Sequence, residues 1–416
     1  MTTLQIAALL IAFAGAFGAI NYLFFRLPSA IGILIVAFIA SLCVLGIDYL
    51  LPQLGIAGEV RAFVGGIEFS RALLDGMLGL LLFAGALHVS IEDLRSQARI
   101  IVLMATLGVV LSTTVIGFGF HWMTGIPLIV ALVFGALISP TDPVAVLGVL
   151  REAGLRKTLE TKIAGESLFN DGVGYVVFLV LAGLAFPSSG EHAATGVLEI
   201  ARFFAQEAIG GALLGALLGW LVFQVIRHID DYALEVLISL GLAFGGYELA
   251  VALHVSGPIM AVVAGLFIGD VGVKYGMSEE TTNYLNAFWT LVDEILNAVL
   301  FLLIGVEVFA ITFHFDAVTA GVAAIGLSLL GRLAAVAIPV ALLRPFRAYS
   351  RGVVPIMTWG GLKGGISVAL ALGLPESEWK PLILTATYLV VLFSIIVQGL
   401  TVAPFANRVG REPDLL

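Results

Sequence analysis

The chain has 416 residues, of which 60% are hydrophobic and only 12% charged, with a formal net charge of -9 and a mean hydropathy of +1.10. Soluble domains carry roughly 25% charged residues, so this composition excludes a soluble enzyme or binding module and describes an all-α polytopic membrane protein. No basic run points to nucleic acid, and with a single cysteine, Cys43, disulfides play no part.

A helical crossing of a bilayer core takes about 20 apolar residues. Hydropathy and turn signals divide the chain into thirteen such stretches, at 4–24, 29–50, 70–90, 100–121, 127–149, 162–186, 206–226, 232–253, 256–274, 286–309, 317–343, 352–374 and 381–404. An odd count puts the termini on opposite sides. With the N-terminus outside, the cytoplasmic loops and tail hold fourteen of the 20 Lys and Arg residues, against four outside: Arg61, Arg71, Arg202 and Lys380. That is the expected positive-inside bias. The other two, Arg332 and Lys363, fall within spans eleven and twelve. No positive charge precedes Arg26, so the first span is expected to be retained and not cleaved as a signal peptide. The longest loops, near 51–69 and 187–205, are too short for a folded domain, which places the function within the membrane.

The fifth span contains ISPTDPVAV, residues 138–146. Pro140 and Pro143 lack amide hydrogens and disfavour helix in the residue before them, so the span is expected to break around Thr141 and Asp142. Unwound backbone survives at membrane depth only where it lines a cavity or is buried in protein. Asp142 suits the amide end of the break, as an N-cap ahead of a proline at the first helical position. A plain proline kink with a hydrogen-bonded aspartate is the alternative.

The sixth span contains GESLFNDGVGYVVF, residues 165–178. Glu166, Ser167, Asn170 and Asp171 follow the i, i+1, i+4, i+5 spacing of one helix face, continued by Gly174 and Phe178. An ionisable group within a span costs about 2.5–3.5 kcal/mol on insertion scales and usually faces a cavity or a partner. For Glu166, near the cytoplasmic end, a helix cap is the competing role. Asp171 lies two turns in, where that role fits less well.

In the tenth span, Asp293 and Glu294 with Asn297 one turn on form either a cytoplasmic entry funnel or an interfacial helix end. His121, His254 and His314 lie near outer ends of spans without metal-ligand spacing and are expected at the interface, as Asp75, Glu235, Glu248 and Glu307 are expected near span ends. In the eleventh span, Arg332 cannot deprotonate and needs an anion, for which Glu166 is the expected partner. The twelfth span is interrupted by TWGGLKGGIS, residues 358–367, where four glycines flank Lys363. Its cation would offset the negative end of a half-helix as Asp142 offsets a positive one; simple packing is the glycines' alternative role. Two broken spans seven apart, one in each half of the chain, are the sequence pointer to an inverted-repeat transporter with its site at the crossing.

A carboxylate in a low-dielectric site can gain and lose a proton near neutral pH, and its ionised oxygens are hard ligands for an alkali cation. Asp171 then holds a proton or a cation, but not both well. That competition suffices for exchange when the site faces each side in turn and does not reorient empty. Ser167 can add a hydroxyl oxygen and Thr141 a backbone carbonyl, while Asn170 and Asp142 can hydrogen-bond across the break. A channel or uniporter using the same polar core, and a K+/H+ antiporter, remain as alternatives. An intramembrane enzyme does not fit: GESLF lacks the last glycine of a G-x-S-x-G elbow, H-E-x-x-H is absent, and no cofactor is expected.

The motifs RLPSAIG, LLLFAGALHVSIEDLR, SPTDPVAV, GESLFNDGV, FLLIGVEV and GGLKGGISVALAL run along essentially the whole chain. With them the sequence resembles the NhaP-like sodium/proton antiporters of the monovalent cation:proton antiporter-1 family, relatives of animal sodium/proton exchangers. The resemblance implies an NhaA/NhaP-like antiporter fold, with thirteen helices in two inverted-topology repeats whose discontinuous helices cross. It implies one transmembrane domain over 1–410 and a cytoplasmic tail at 411–416. Within the domain it implies dimer and scaffold helices over 1–90 and 232–309, an ion-transporting core over 100–186 and 317–404, and a linker helix over 206–226. It also implies Na+ contact by Asp171, Ser167, Glu166 and the Thr141 carbonyl, an Asn170–Asp142 contact and a Glu166–Arg332 salt bridge. The expected activity is exchange of Na+, or of Li+ or K+, for H+ by a homodimer in the cell's inner or plasma membrane. Electrogenic relatives carry an aspartate where Asn170 stands, which implies electroneutral one-for-one exchange here. Lys363 departs from the arginine usual in the GLRG stretch; the charge is kept and any bidentate contact is lost.

Overall fold

The computed structural model describes residues 3–55, 58–60, 76–142, 157–186, 197–311, 315–346, 349 and 352–409. Pro143 and the VAV run after it, Asp75, His314, the 411–416 tail and the basic residues Arg61, Arg71, Arg151, Arg156, Arg347, Arg351 and Arg411 lie outside the described residues. Among the described residues every regular element is helical.

The helices are α1 (Thr3–Ile20), α2 (Ser29–Leu50), α3 (Leu78–Leu87), α4 (Ile91–Thr124), α5 (Leu128–Ile138), α6 (Lys157–Ala185), α7 (Val197–Ile226), α8 (Tyr232–Ala252), α9 (Gly257–Tyr275), α10 (Glu279–Val306), α11 (Phe315–Leu343), α12 (Val353–Trp359), α13 (Gly365–Leu372) and α14 (Lys380–Val409). Nine described helices are long and apolar enough to cross a membrane, and α3 and α5 are shorter apolar pieces. Each expected span overlaps a described helix, the twelfth being shared by α12 and α13, while 70–75 of the third span and 143–149 of the fifth lie outside the described residues.

Local chemistry fixes many of the ends. Ser90, Asp231, Ser256 and Ser278 cap α4, α8, α9 and α10, each side chain accepting a first-turn backbone N–H. The Ser90 cap, backed by Glu92 and Asp93 in the first turn, starts α4 nine residues before the expected fourth span, because Ile91–Leu103 is amphipathic and hydropathy alone passes it over. Gly125, at a φ of 73°, ends α4 by bonding to the His121 carbonyl.

In lipid, helices associate through close packing and polar contacts, since lipid tails are as apolar as the side chains. The helices sort into two packing groups. In one, α4, α5, α6, α11, α13 and α14 pack on one another around an apolar cluster that includes Phe120, Phe134, Phe178, Leu370 and Val390, with Phe120 and Phe134 stacked at 4.1 Å. In the other, α3 packs on α9, α2 on α10, and α8 on both α9 and α10. Phe83, Tyr247, Met260 and Trp289 are among the core residues of that group. A third cluster takes Ile31, Leu34 and Phe301 from the second group and Ile101, Val336 and Tyr388 from the first, with Met357 of α12, joining the two.

Candidate ion site at the crossing of two broken helices

Helix α5 stops at Ile138, and Ser139 to Asp142 run on without helical structure, at the proline-flanked position expected from the sequence. The twelfth span is likewise open between Trp359 and Gly365. The two breaks touch at the backbone: the Asp142 N–H donates to the Leu362 carbonyl at 2.8 Å.

Each break answers the dipole of the other. The buried Lys363 ammonium donates to the Ser139 and Pro140 carbonyls at 2.9 and 3.2 Å, closing the negative C-terminal end of α5. Asp142 lies against Gly364, the residue capping the N-terminus of α13, so closely that a methyl group on Gly364 would overlap its carboxyl group. That places the carboxylate near the positive end of α13. A backbone crossing this tight requires glycine, which accounts for part of the GGLKGG run.

The polar face of α6 lies against this crossing. Thr141 and Asn170 are doubly bonded: the Thr141 N–H donates to Asn170 Oδ1 at 3.3 Å, and Asn170 Nδ2 donates to Thr141 Oγ1 at 2.8 Å. Thr141 Oγ1 is also 3.0 Å from Ser167 Oγ. These bonds tie Asn170 to the residue beside Asp142, its expected partner across the break. Asp171 is only 5% exposed, and its Oδ1 is buried without a hydrogen-bond partner. The charges of Asp142 and Lys363 both act on Asp171. Asp171 follows Ser167 by one turn of α6, and the Ser167 hydroxyl meets Thr141 of the unwound backbone; a carboxylate with hydroxyl and carbonyl oxygens supplies the hard, mostly neutral ligands that suit a monovalent cation.

Glu166, on the same face, is held quite differently. Arg332 of α11 grips both carboxylate oxygens in a bidentate pair, Nη2 to Oε2 at 2.8 Å, and donates Nε to the Met357 carbonyl at 3.1 Å. Both side chains are almost fully buried. A methyl group on Gly361 would overlap the guanidinium, so the second break also makes room for this pair.

Further out, Asp293 of α10 is half-buried and accepts from Asn297 Nδ2 at 3.0 Å, while Glu294 is not covered by protein. Asp293 is near enough to Asp142 for their charges to interact. One turn back, Thr290 Oγ1 is 3.2 Å from Nε2 of His88, which lies in the LLLFAGALHVSIEDLR motif but for which the sequence suggests no role. His254 is exposed and His121 is tied by Nδ1 to the Ile126 carbonyl. Glu235, expected near a span end, is indeed in the first turn of α8, but it is fully buried and accepts from Thr281. Nearby, Trp289 Nε1 donates to Ser239.

Unwound backbone after α5 meeting the break between α12 and α13, with each helix end compensated and a buried carboxylate on the helix packed against them, is the arrangement of a secondary transporter's ion site. The family model for the transmembrane sodium/hydrogen exchanger matches residues 8–408. The chain is 47% identical to the Na+/H+ antiporter NhaP of Pseudomonas aeruginosa, over 98% of this chain and 97% of that protein. It is 38% identical to the Na+/H+ antiporter NhaH of Halobacillus aidingensis, over 89% and 91%. The solved structure of the sodium proton antiporter MjNhaP1 from Methanocaldococcus jannaschii at pH 8 matches 97% of this chain and 98% of its own, with a TM-score of 0.73 at 19% identity. The chain therefore belongs to the sodium/hydrogen exchanger family, a family of transporters.

Proposed function

We infer that the protein exchanges Na+ for H+ across the membrane, with cation and proton competing for Asp171. The observation that carries this is the buried Asp171 carboxyl group, one oxygen without a partner, where α6 meets two broken helices. Ser167 and the Thr141 carbonyl complete the cation's ligands. Asn170 and Asp142 hold the break, Lys363 compensates the end of α5, and Glu166, engaged by Arg332, borders the site. Asp293 and Glu294 line the cytoplasmic approach.

Exchange is one-for-one and electroneutral, because Asn170 leaves a single exchangeable carboxylate on this face. The packing groups support alternating access, with α4 to α6 and α11 to α14 moving as a core against a scaffold of α1 to α3 and α8 to α10. Helix α7 is the linker, and the scaffold pairs two chains in a homodimer. The Lys and Arg distribution supports an N-terminus outside and a C-terminus in the cytoplasm, in the inner membrane of the cell. The test is proton movement in proteoliposomes on adding Na+, Li+ or K+ to one side. Na+ is expected to drive protons the other way, and no response to any of the three contradicts the reading.

A further inference from the structure

The second break is also held from α14. Gln398 Nε2 donates to the Trp359 carbonyl at 2.8 Å, at the C-terminal end of α12. Ser394 Oγ accepts the Lys363 N–H, also at 2.8 Å. The first contact is at the residue before the break and the second is one residue from its end. Ser394 and Gln398 are 1% and 3% exposed.

Both residues sit in a π turn, Phe393–Gln398, which interrupts the α-helical ladder of α14. Such turns are rare and frequently lie at functional sites. Here the turn begins one residue before Ser394 and ends on Gln398, so the local rewinding presents both polar groups to the break.

The contacts then lead inward without a gap. Gln398 fixes Trp359 and Ser394 fixes Lys363; Lys363 holds the carbonyls of Ser139 and Pro140, and Leu362 accepts the Asp142 N–H. Thr141, between Pro140 and Asp142, contacts Ser167 and Asn170. The backbone position of Thr141 is thus set from α14 as well as from α6.

We propose that Ser394 and Gln398 are positioning residues for the cation site, holding the second break in the register that places Lys363 and the Thr141 carbonyl. Neither touches the cation. The inference rests on the exchange function proposed above and adds to it a second support behind the site. It requires that loosening α14 from the break weaken cation binding and shift the pH profile, and not merely lower stability.

The test compares Gln398→Leu, Gln398→Glu and Ser394→Ala with wild type in proteoliposomes, reading the half-saturating Na+ concentration, the maximal rate and the pH profile. Thr401→Val is the control. It removes another bond between the same two helices, from Trp359 Nε1 to Thr401 Oγ1 at 3.0 Å, without touching the backbone of the break. Gln398→Leu and Ser394→Ala are each expected to raise half-saturation about tenfold, a change of about 1.4 kcal/mol, with a displaced pH profile. Gln398→Glu, which sets a carboxylate against a carbonyl, is expected to be worse, and Thr401→Val to match wild type. If Gln398→Leu does not fold, Ser394→Ala carries the test from the other end. Unchanged half-saturation and pH profile in a folded variant overturn the proposal, whether or not its melting temperature falls. Absence of exchange in the wild-type protein would instead overturn the function on which the proposal rests.

Discussion

Glu166 and Asp171 are five residues apart on one face of α6, both nearly fully buried, yet the regions around them are built for different tasks. Around Glu166 every charge is answered: the Arg332 fork covers both carboxylate oxygens and its Nε is satisfied by a backbone carbonyl. Around Asp171 the charges answer helix ends instead. Lys363 serves α5 and Asp142 lies at α13, and one Asp171 oxygen is left with no partner. Burial alone does not make a carboxylate exchangeable; what matters is whether its neighbours' bonding capacity is already committed elsewhere.

The largest expected effect is that of Asp171→Asn, which should abolish cation-dependent proton flux while leaving a folded protein, as judged by size-exclusion elution and thermal unfolding near wild type. Retained flux would erase the distinction between the two acids. The reverse pattern is expected at the other acid. Arg332→Ala strands a buried carboxylate, a loss of about 3–5 kcal/mol when one partner of such a pair is removed, and should appear as poor expression and a lowered melting temperature. Adding Glu166→Gln to that variant should recover part of the loss; no recovery would mean that Arg332 acts chiefly through the Met357 carbonyl.

A smaller effect is expected from Lys363→Met. It leaves the Ser139 and Pro140 carbonyls without their donor, at about 1–3 kcal/mol for an unsatisfied buried group, and should lower both thermal stability and exchange rate. The smallest is that of Ser167→Ala, which should raise the half-saturating Na+ concentration about tenfold, or about 1.4 kcal/mol, with the maximal rate little changed. Equal half-saturation would remove Ser167 from the ligand set.

What could be foreseen from the sequence was local or forced by charge. Two prolines around Thr141 and four glycines around Lys363 break helices through their own stereochemistry, wherever the chain goes next. Arg332 had to find an anion, and the buried acid Glu166 is where it lies. What could not be foreseen depends on how distant segments meet. The sequence showed that Asp142 and Lys363 compensate dipoles, but only the crossing shows that each serves the other's span. The double bond between Asn170 and Thr141 gives no sequence signal, because unwound backbone has no fixed side-chain period from which to count. Ser394 and Gln398 were passed over, since isolated polar residues in an apolar run give no signal until a break packs against them. Glu235 and Trp289 were likewise unremarkable until α8 and α10 brought Thr281 and Ser239 beside them.

The central claim is competition between a cation and a proton at one carboxylate. It is tested most directly by recording Na+ and H+ fluxes together in proteoliposomes across a range of pH. The account predicts opposite, one-for-one fluxes, with half-saturating Na+ rising as pH falls while the maximal rate holds, because a protonated Asp171 must first release its proton. Na+ flux without proton counterflow, or a half-saturation that does not move with pH, would contradict it.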